Sequence, residues 1–239
     1  MTDTEYLKKY LAPEKLEEGF KMLKEGLPLQ YIIGNVNFCG YTIKVNPNVL
    51  IPRFETELLV EKTINYIKEN FKKPISIIDL GTGSGAIAIS LKKALDCQMT
   101  AVDISSKALE LALENAQDND AEIKFIESDM LDQITEKYDV IISNPPYIGY
   151  GEEIDDKVRH HEPAIALFAE NNGLEFYEKI LSQAINNLKE NALIAFEIGK
   201  DQGQAIKEMA LKYFPQAMVK IEKDLPGLDR YVFIFIKNT

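Results

Sequence analysis

Asn144-Pro145-Pro146-Tyr147 closes an apolar run, YDVIIS at 138–143. Proline fixes φ and lacks a backbone N–H, so the pair cannot continue a central strand. An amide side chain thus stands in front of a stiffened corner. Asn144 offers its side-chain oxygen, and the Pro145 carbonyl offers a second acceptor that the prolines hold in place. Two acceptors suit a nitrogen in conjugation, an amide or an aromatic amine, whose lone pair is delocalised. Binding both of its N–H bonds turns the lone pair toward an electrophilic carbon. Tyr147 can pack on the flat group that carries the nitrogen. Standing alone, the tetrad reads better as a rigid turn at a strand end.

A second stretch changes that balance. DLGTGSGAIAISL, 79–91, follows an apolar run and opens a helical pattern. Gly81, Thr82, Gly83, Ser84 and Gly85 permit a tight turn and close approach of a ligand to backbone. The free N–H groups of the helix start favour an electron-rich partner. G-T-G-S-G is not G-x-G-x-x-G, and no G-K-[ST] follows, so a triphosphate cradle is absent. Asp103 stands 18 residues beyond Gly85 at the next strand end, where an acid can accept from ribose hydroxyls. Asp129, in IESDML, follows the third strand and is placed to read an adenine amino group, with Met130 beside it. Asp79 precedes the glycines and would attract an ammonium. Three acids and no lysine suit a nucleoside carrying positive charge, and S-adenosylmethionine is such a ligand. A dinucleotide is less well served. Each acid taken singly is an ordinary cap or loop residue.

The elements that must position these residues alternate. Apolar runs fall at 75–80, 99–104, 122–127, 138–143, 191–199, 217–223 and 230–237, with helical patterns at 105–117, 173–189 and 200–214. This order predicts an α/β fold, a parallel sheet covered by helices on both faces. Ligands collect at the carboxyl ends of such strands, where neighbouring connections part. Residues 5–25 read as helix broken at Pro13, and 35–52 as a hairpin or edge pair around Gly40. The expected division is a helical arm at 1–34, a hairpin linker at 35–55 and the main domain at 56–239.

The 239 residues carry a formal net charge of −11 from 27 basic and 38 acidic side chains. An acidic surface is poorly suited to a phosphate backbone. No apolar run approaches the ~20 residues of a spanning helix, and the N-terminus lacks a signal-type apolar region, so a cytoplasmic protein is expected. Cys39 and Cys97 have no metal-type spacing and are expected as buried thiols. His160 and His161 are read as loop residues without a metal role. Glu197 could line the pocket but is read as a solvated or capping acid, and 152–157, EEIDDK, as an exposed loop able to cover the site.

Beyond the tetrad, PLQYIIGNVNFCGYTIKVNPNVLIPRFETELLV (28–60), HEPAIALFAENNGLEFYEKI (161–180), FEIGKDQGQAI (196–206) and DLPGLDRYV (224–232) resemble the release factor glutamine methyltransferases. The resemblance runs from about Pro28 to the C-terminus. It implies a Rossmann-like seven-stranded methyltransferase domain. It further implies S-adenosylmethionine-dependent methylation of the glutamine side-chain nitrogen in the GGQ motif of peptide-chain release factors. It implies cofactor contacts from Gly81 to Gly85 and at Asp103, with Asp129, Met130 and Asn144 nearby. Asn144 to Tyr147, with Arg53 of IPRFET, would hold the glutamine. Met130 stands where relatives often carry tryptophan, and Phe54 where they carry a second proline. The helical segment before the hairpin is shorter than the family's. Two other readings are weighed: amino-methylation of adenine or guanine in nucleic acid, and a non-catalytic cofactor-binding subunit. Net charge argues against the first, and an intact NPPY against the second.

Overall fold

The computed structural model describes residues 2–72 and 74–237. Three short helices begin the chain: α1 (Asp3–Tyr10), α2 (Leu16–Lys24) and α3 (Leu29–Ile33). Thr2 and Glu5 form a reciprocal capping box at the start of α1, satisfying two orphan donors. Pro13 opens a single 3-10 turn, Pro13–Lys15, which breaks the helix where the sequence predicts. Leu7 is fully buried, and a Cβ on Gly19 would meet Leu11 at 2.8 Å and Ile32 of α3 at 3.4 Å. The arm thus packs on α3, and through it reaches the hairpin β1 (Asn35–Phe38) and β2 (Tyr41–Lys44). The Tyr31 hydroxyl of α3 donates to the Val49 carbonyl at 2.6 Å.

The body is α4 (Phe54–Asn70), β3 (Ile75–Leu80), α5 (Ala86–Ala94), β4 (Cys97–Asp103), α6 (Ser106–Asp118), β5 (Lys124–Glu127) and β6 (Tyr138–Ser143). A covering segment follows: β7 (Ile148–Gly149), α7 (Asp156–His161), β8 (Phe168–Ala169) and the irregular turn α8 (Glu170–Gly173). The chain ends with α9 (Glu175–Asn187), β9 (Leu188–Glu197), α10 (Gly203–Tyr213), β10 (Met218–Lys223) and β11 (Asp229–Lys237).

Seven strands form one sheet in the order β10-β11-β9-β6-β3-β4-β5. All six residues of β3, ISIIDL, are buried, as befits a central strand, whereas the outer strands β5 and β10 have no buried residue. Successive side chains of a strand point to opposite faces. Ile77 therefore joins Leu59, Ile89 and Phe233 under α4 and α5, while Ile78 joins Tyr177, Ile180 and Ile206 under α9 and α10. Each such fully buried aliphatic side chain contributes about 1.5–3 kcal/mol.

The structure departs from expectation in a few places. β11 is antiparallel to both β9 and β10, so the sheet is mixed rather than parallel. The β9 strand begins at Leu188, directly after α9, and ends at Glu197. His160 and His161 close helix α7, whose N-cap Asp155 accepts from the Lys157 amide at 2.7 Å. Cys97 is buried, but Cys39 is only partly so, in the two-residue hairpin turn. No helix among the described residues is long and apolar enough to cross a membrane.

Candidate functional site

A cleft of about 230 Å³ opens beyond the carboxyl ends of β3, β4 and β6. Hydrogen bonds hold those ends in step. The Thr82 amide donates to the Val102 carbonyl at 2.9 Å, and the Ser128 amide to the Asp103 carbonyl at 3.0 Å. The Ser143 hydroxyl, one residue before Asn144, donates to the Leu80 carbonyl at 2.7 Å.

Gly81, Thr82, Gly83 and Ser84 line the cleft. Gly81 and Gly83 have φ of +69° and +55°, and a Cβ on either would project into open space. The loop thus presents bare backbone, a surface that a ligand can approach closely. Gly85 serves another end: its missing Cβ lets the loop sit against Ala112 of α6, 3.2 Å from where that atom would be. Asn115 of α6, fully buried, donates to the Ser84 carbonyl at 2.9 Å and to the Lys44 carbonyl of β2 at 3.0 Å. Its oxygen accepts from the Lys44 amide at 2.7 Å. One side chain therefore ties the glycine loop to the hairpin.

Asp103 ends β4 on the cleft wall, with its carboxylate accepting from the Gly83 amide at 2.8 Å and the Ser105 amide at 2.9 Å. Burial raises its pKa, and these amide donors partly oppose that rise. Ile104, half exposed, adds an apolar wall beside it. Asp129 and Met130 lie on the same wall. The Asp129 carboxylate is 2.7 Å from Lys179 of α9, so its charge is partly compensated. Met130 has φ +52° and packs into the α9–α10 core. Asp79 is not on the cleft wall. It is fully buried beneath the loop, accepts from the Thr82 hydroxyl at 2.6 Å, and its Oδ1 has no hydrogen-bond partner among the described residues. Burial first, then nearby Asp103, pushes its pKa up to about 7.

Asn144 and Pro146 line the cleft, while Pro145 is buried. Among the described residues, nothing donates to the Asn144 side-chain oxygen or to the Pro145 carbonyl. Asn144 lines the cleft, so its oxygen is open to a ligand there. Tyr147 does not line the cleft; it packs against the α9–α10 core, and burial raises its pKa. Its carbonyl accepts from Gln202 Nε2 at 2.9 Å. Arg53 does not line the cleft either. Its guanidinium pairs with Glu162, a buried carboxylate that also accepts from the Ile51 amide at 3.1 Å. Tyr147 and Arg53, expected to hold the substrate, stand outside the cleft lining and are both partly exposed. The Arg53–Glu162 pair joins the IPRFET loop to the covering segment, with the arginine side chain still partly exposed.

Sequence reasoning also misplaced Glu197. It is 2% exposed, and its carboxylate accepts from the Thr56 hydroxyl at 2.7 Å. Burial pushes its pKa up to about 7, against the Thr56 hydrogen bond and the positive field of Arg230. Thr56 in turn accepts from Asn144 Nδ2 at 3.2 Å and lines the cleft. Thr56, Gln202 and Gly173 were not singled out, because nothing local in the sequence marks them as neighbours of the tetrad.

The donor set fits S-adenosylmethionine. Bare loop backbone, the Asp103 carboxylate and the apolar surface of Ile104 and Met130 share one cleft. This strand order with the loop after its central strand defines the S-adenosylmethionine-dependent methyltransferases. The family model of the methyltransferase small domain matches residues 55–161. A release factor glutamine methyltransferase of Lactococcus lactis is 48% identical over 222 residues, 92% of this chain and 81% of the relative. That of Bacillus subtilis is 41% identical over 232 residues, 93% and 80% of the two chains. The chain belongs to the release factor glutamine methyltransferase family. It is also similar to a crystal structure of a release factor-specific protein-(glutamine-N5) methyltransferase from Alicyclobacillus acidocaldarius. There the TM-score is 0.51 at 28% identity, over 81% of this chain and 99% of the other.

Proposed function

We propose that the chain methylates the side-chain nitrogen of the glutamine in the GGQ motif of peptide-chain release factors, in the cytosol. The observation that carries this reading is the unengaged Asn144 Oδ1 on the cleft wall at the end of β6, followed directly by the Pro145 carbonyl, which accepts no hydrogen bond among the described residues. A primary amide has two N–H bonds for two acceptors. Held by both, its nitrogen is fixed with its lone-pair face toward the cleft.

The glycine loop and Asp103 would hold S-adenosylmethionine, which when bound supplies an electrophilic methyl group and keeps the departing bond electrons on sulfur. The chain's own part is orientation and charge placement. As the nitrogen gains a methyl group it loses one proton, which its growing acidity releases to solvent without a strong base. Asn144 and Pro145 hold the N–H bonds as positive charge develops on them, so their acceptance strengthens toward the transition state. The acidic surface, net charge −11, favours a protein substrate over RNA or DNA.

The test is transfer of labelled methyl to a purified release factor, to its GGQ glutamine variant, and to RNA and DNA. Label is expected on the intact release factor alone. Asn144→Ala should lower that rate by about 10²–10³-fold while cofactor affinity, read by calorimetry, is largely kept. Label on nucleic acid and none on the release factor would overturn the assignment.

A further inference from the structure

The Asn144 amide can enter the site in two orientations of nearly equal shape, oxygen forward or NH₂ forward. Only the first accepts from a substrate N–H. The hydrogen-bond chain behind it discriminates between them. Glu197 Oε2, at the end of β9, accepts from the Thr56 hydroxyl at 2.7 Å. A hydroxyl has one proton, so once Glu197 is ionised, as it becomes when pH rises through about 7, the Thr56 engaged with it has only lone pairs left to offer. Asn144 must then present its NH₂ to Thr56, where the separation is 3.2 Å, and its oxygen to the cleft. Glu197 itself is anchored, with its main-chain carbonyl held by the Tyr177 hydroxyl at 2.8 Å. Arg230, the cation with the larger effect on it, is occupied by Asp224 at 3.2 Å and by the Ile198 carbonyl at 3.1 Å. No pair of this chain lies close in sequence: 88 residues separate Asn144 from Thr56, and 141 separate Thr56 from Glu197.

We infer that Thr56 and Glu197 are positioning residues: a one-directional relay, Asn144 to Thr56 to Glu197, locks the catalytic amide with its oxygen toward the substrate nitrogen. The inference deepens the reading given above and rests on Asn144 as the acceptor. It assigns work to the threonine of IPRFET and to the buried acid of FEIG that neither could do alone. Thr56 touches the cleft, but its hydroxyl faces Glu197, so it acts through Asn144.

Two substitutions at Thr56 separate this role from packing. Thr56→Val keeps shape and loses the hydroxyl; Thr56→Ser keeps the hydroxyl and loses a methyl. The relay predicts that Val lowers kcat on the release factor about 10–100-fold, the scale of an outer partner to a functional group. Ser stays within a few-fold of wild type, and cofactor affinity is unchanged in both. Glu197→Gln, which allows the hydrogen bond to Thr56 to run either way, should fall between wild type and Thr56→Val. A packing role predicts the reverse order, with Val near wild type and Ser impaired, and that order would overturn the relay. A wild-type rate in Glu197→Gln would remove Glu197 from it. A second readout needs no turnover: the Asn144 side-chain NH₂ resonance, assigned with Asn144→Ala, should exchange slowly with solvent in wild type and Thr56→Ser and fast in Thr56→Val. Equal exchange in all three refutes the relay even if the wild-type protein were inactive on the release factor, an outcome that would sink the function separately.

Discussion

Gly173, at φ +80°, lies so close to the tetrad that an added Cβ would fall 2.0 Å from the Tyr147 carbonyl oxygen and 2.5 Å from Gln202 Nε2. That carbonyl is the one Gln202 holds at 2.9 Å. The backbone just beyond Pro146 is therefore set from below by a glycine and from the side by a glutamine. Gly173→Ala is expected to cost at least about 1–2 kcal/mol for the left-handed backbone alone. The greater effect should be on rate, because relief of the overlap must move the Tyr147 carbonyl. Thermal melting and methylation assays together would show a drop in kcat larger than any loss of cofactor affinity; an unchanged kcat would remove Gly173 from the frame of the site. Asn144 was legible in the sequence because an amide before two prolines at a strand end is rare chemistry. Gly173 and Gln202 were not, since a glycine and a glutamine in a helix-rich stretch look the same wherever they fold. Glu197 was misread for a related reason. A strand-end acid is solvated unless something covers it, and Thr56 covers it from 141 residues away.

At the scale of elements, strands were the most legible, because buried strands need uninterrupted apolar runs and these cannot be hidden. The β3 run was read at its observed bounds, Ile75–Leu80. What escaped notice depends on partners rather than on local pattern. The reversal of β11 follows from its antiparallel pairing with β9, Tyr231 opposite Glu197, which a run of apolar residues does not encode. The two-residue pair β7 and β8, Ile148 opposite Phe168, is too short for any period to show. Asn115 illustrates the same limit in a helix. It occupies a buried position of α6 and joins β2 to the glycine loop through three hydrogen bonds at 2.7–3.0 Å. Asn115→Leu strands the Lys44 amide and two carbonyls, and an unsatisfied buried group costs about 1–3 kcal/mol. The expected outcome is a destabilised protein whose cofactor affinity falls as well, because the loop loses its tie at Ser84. Urea unfolding and calorimetry on this variant check both halves; weaker folding with intact affinity would show that the loop does not depend on the strut.

For the whole molecule, two fully buried carboxyls set a pH dependence. The pKa of Asp79 is raised from 3.8, and that of Glu197 from 4.5, each to about 7, with burial the largest cause in both. A folded-state pKa above the unfolded value means that the native protein holds protons that the unfolded chain has released. Stability supplied by these groups is therefore present at low pH and declines as pH rises from about 4 to about 7. Wild-type Tm should fall across that window, and Asp79→Asn should flatten the fall. A Tm that climbs steadily from pH 4.5 to 7.5 in both proteins would contradict it. The acidic excess pushes in the same direction, since self-repulsion grows as surface carboxylates ionise. The two ends of the tetrad are fastened to opposite layers of the sandwich. Asn144 is tied to α4 by Thr56, and Tyr147 to the α8–α10 side by Gln202 and Gly173. The tetrad is in effect a seam, stitched from both cloths. Neither layer alone, whatever sheet it retained, would carry a usable amide, so this reaction belongs to the assembled sandwich and cannot be pared down to a catalytic peptide.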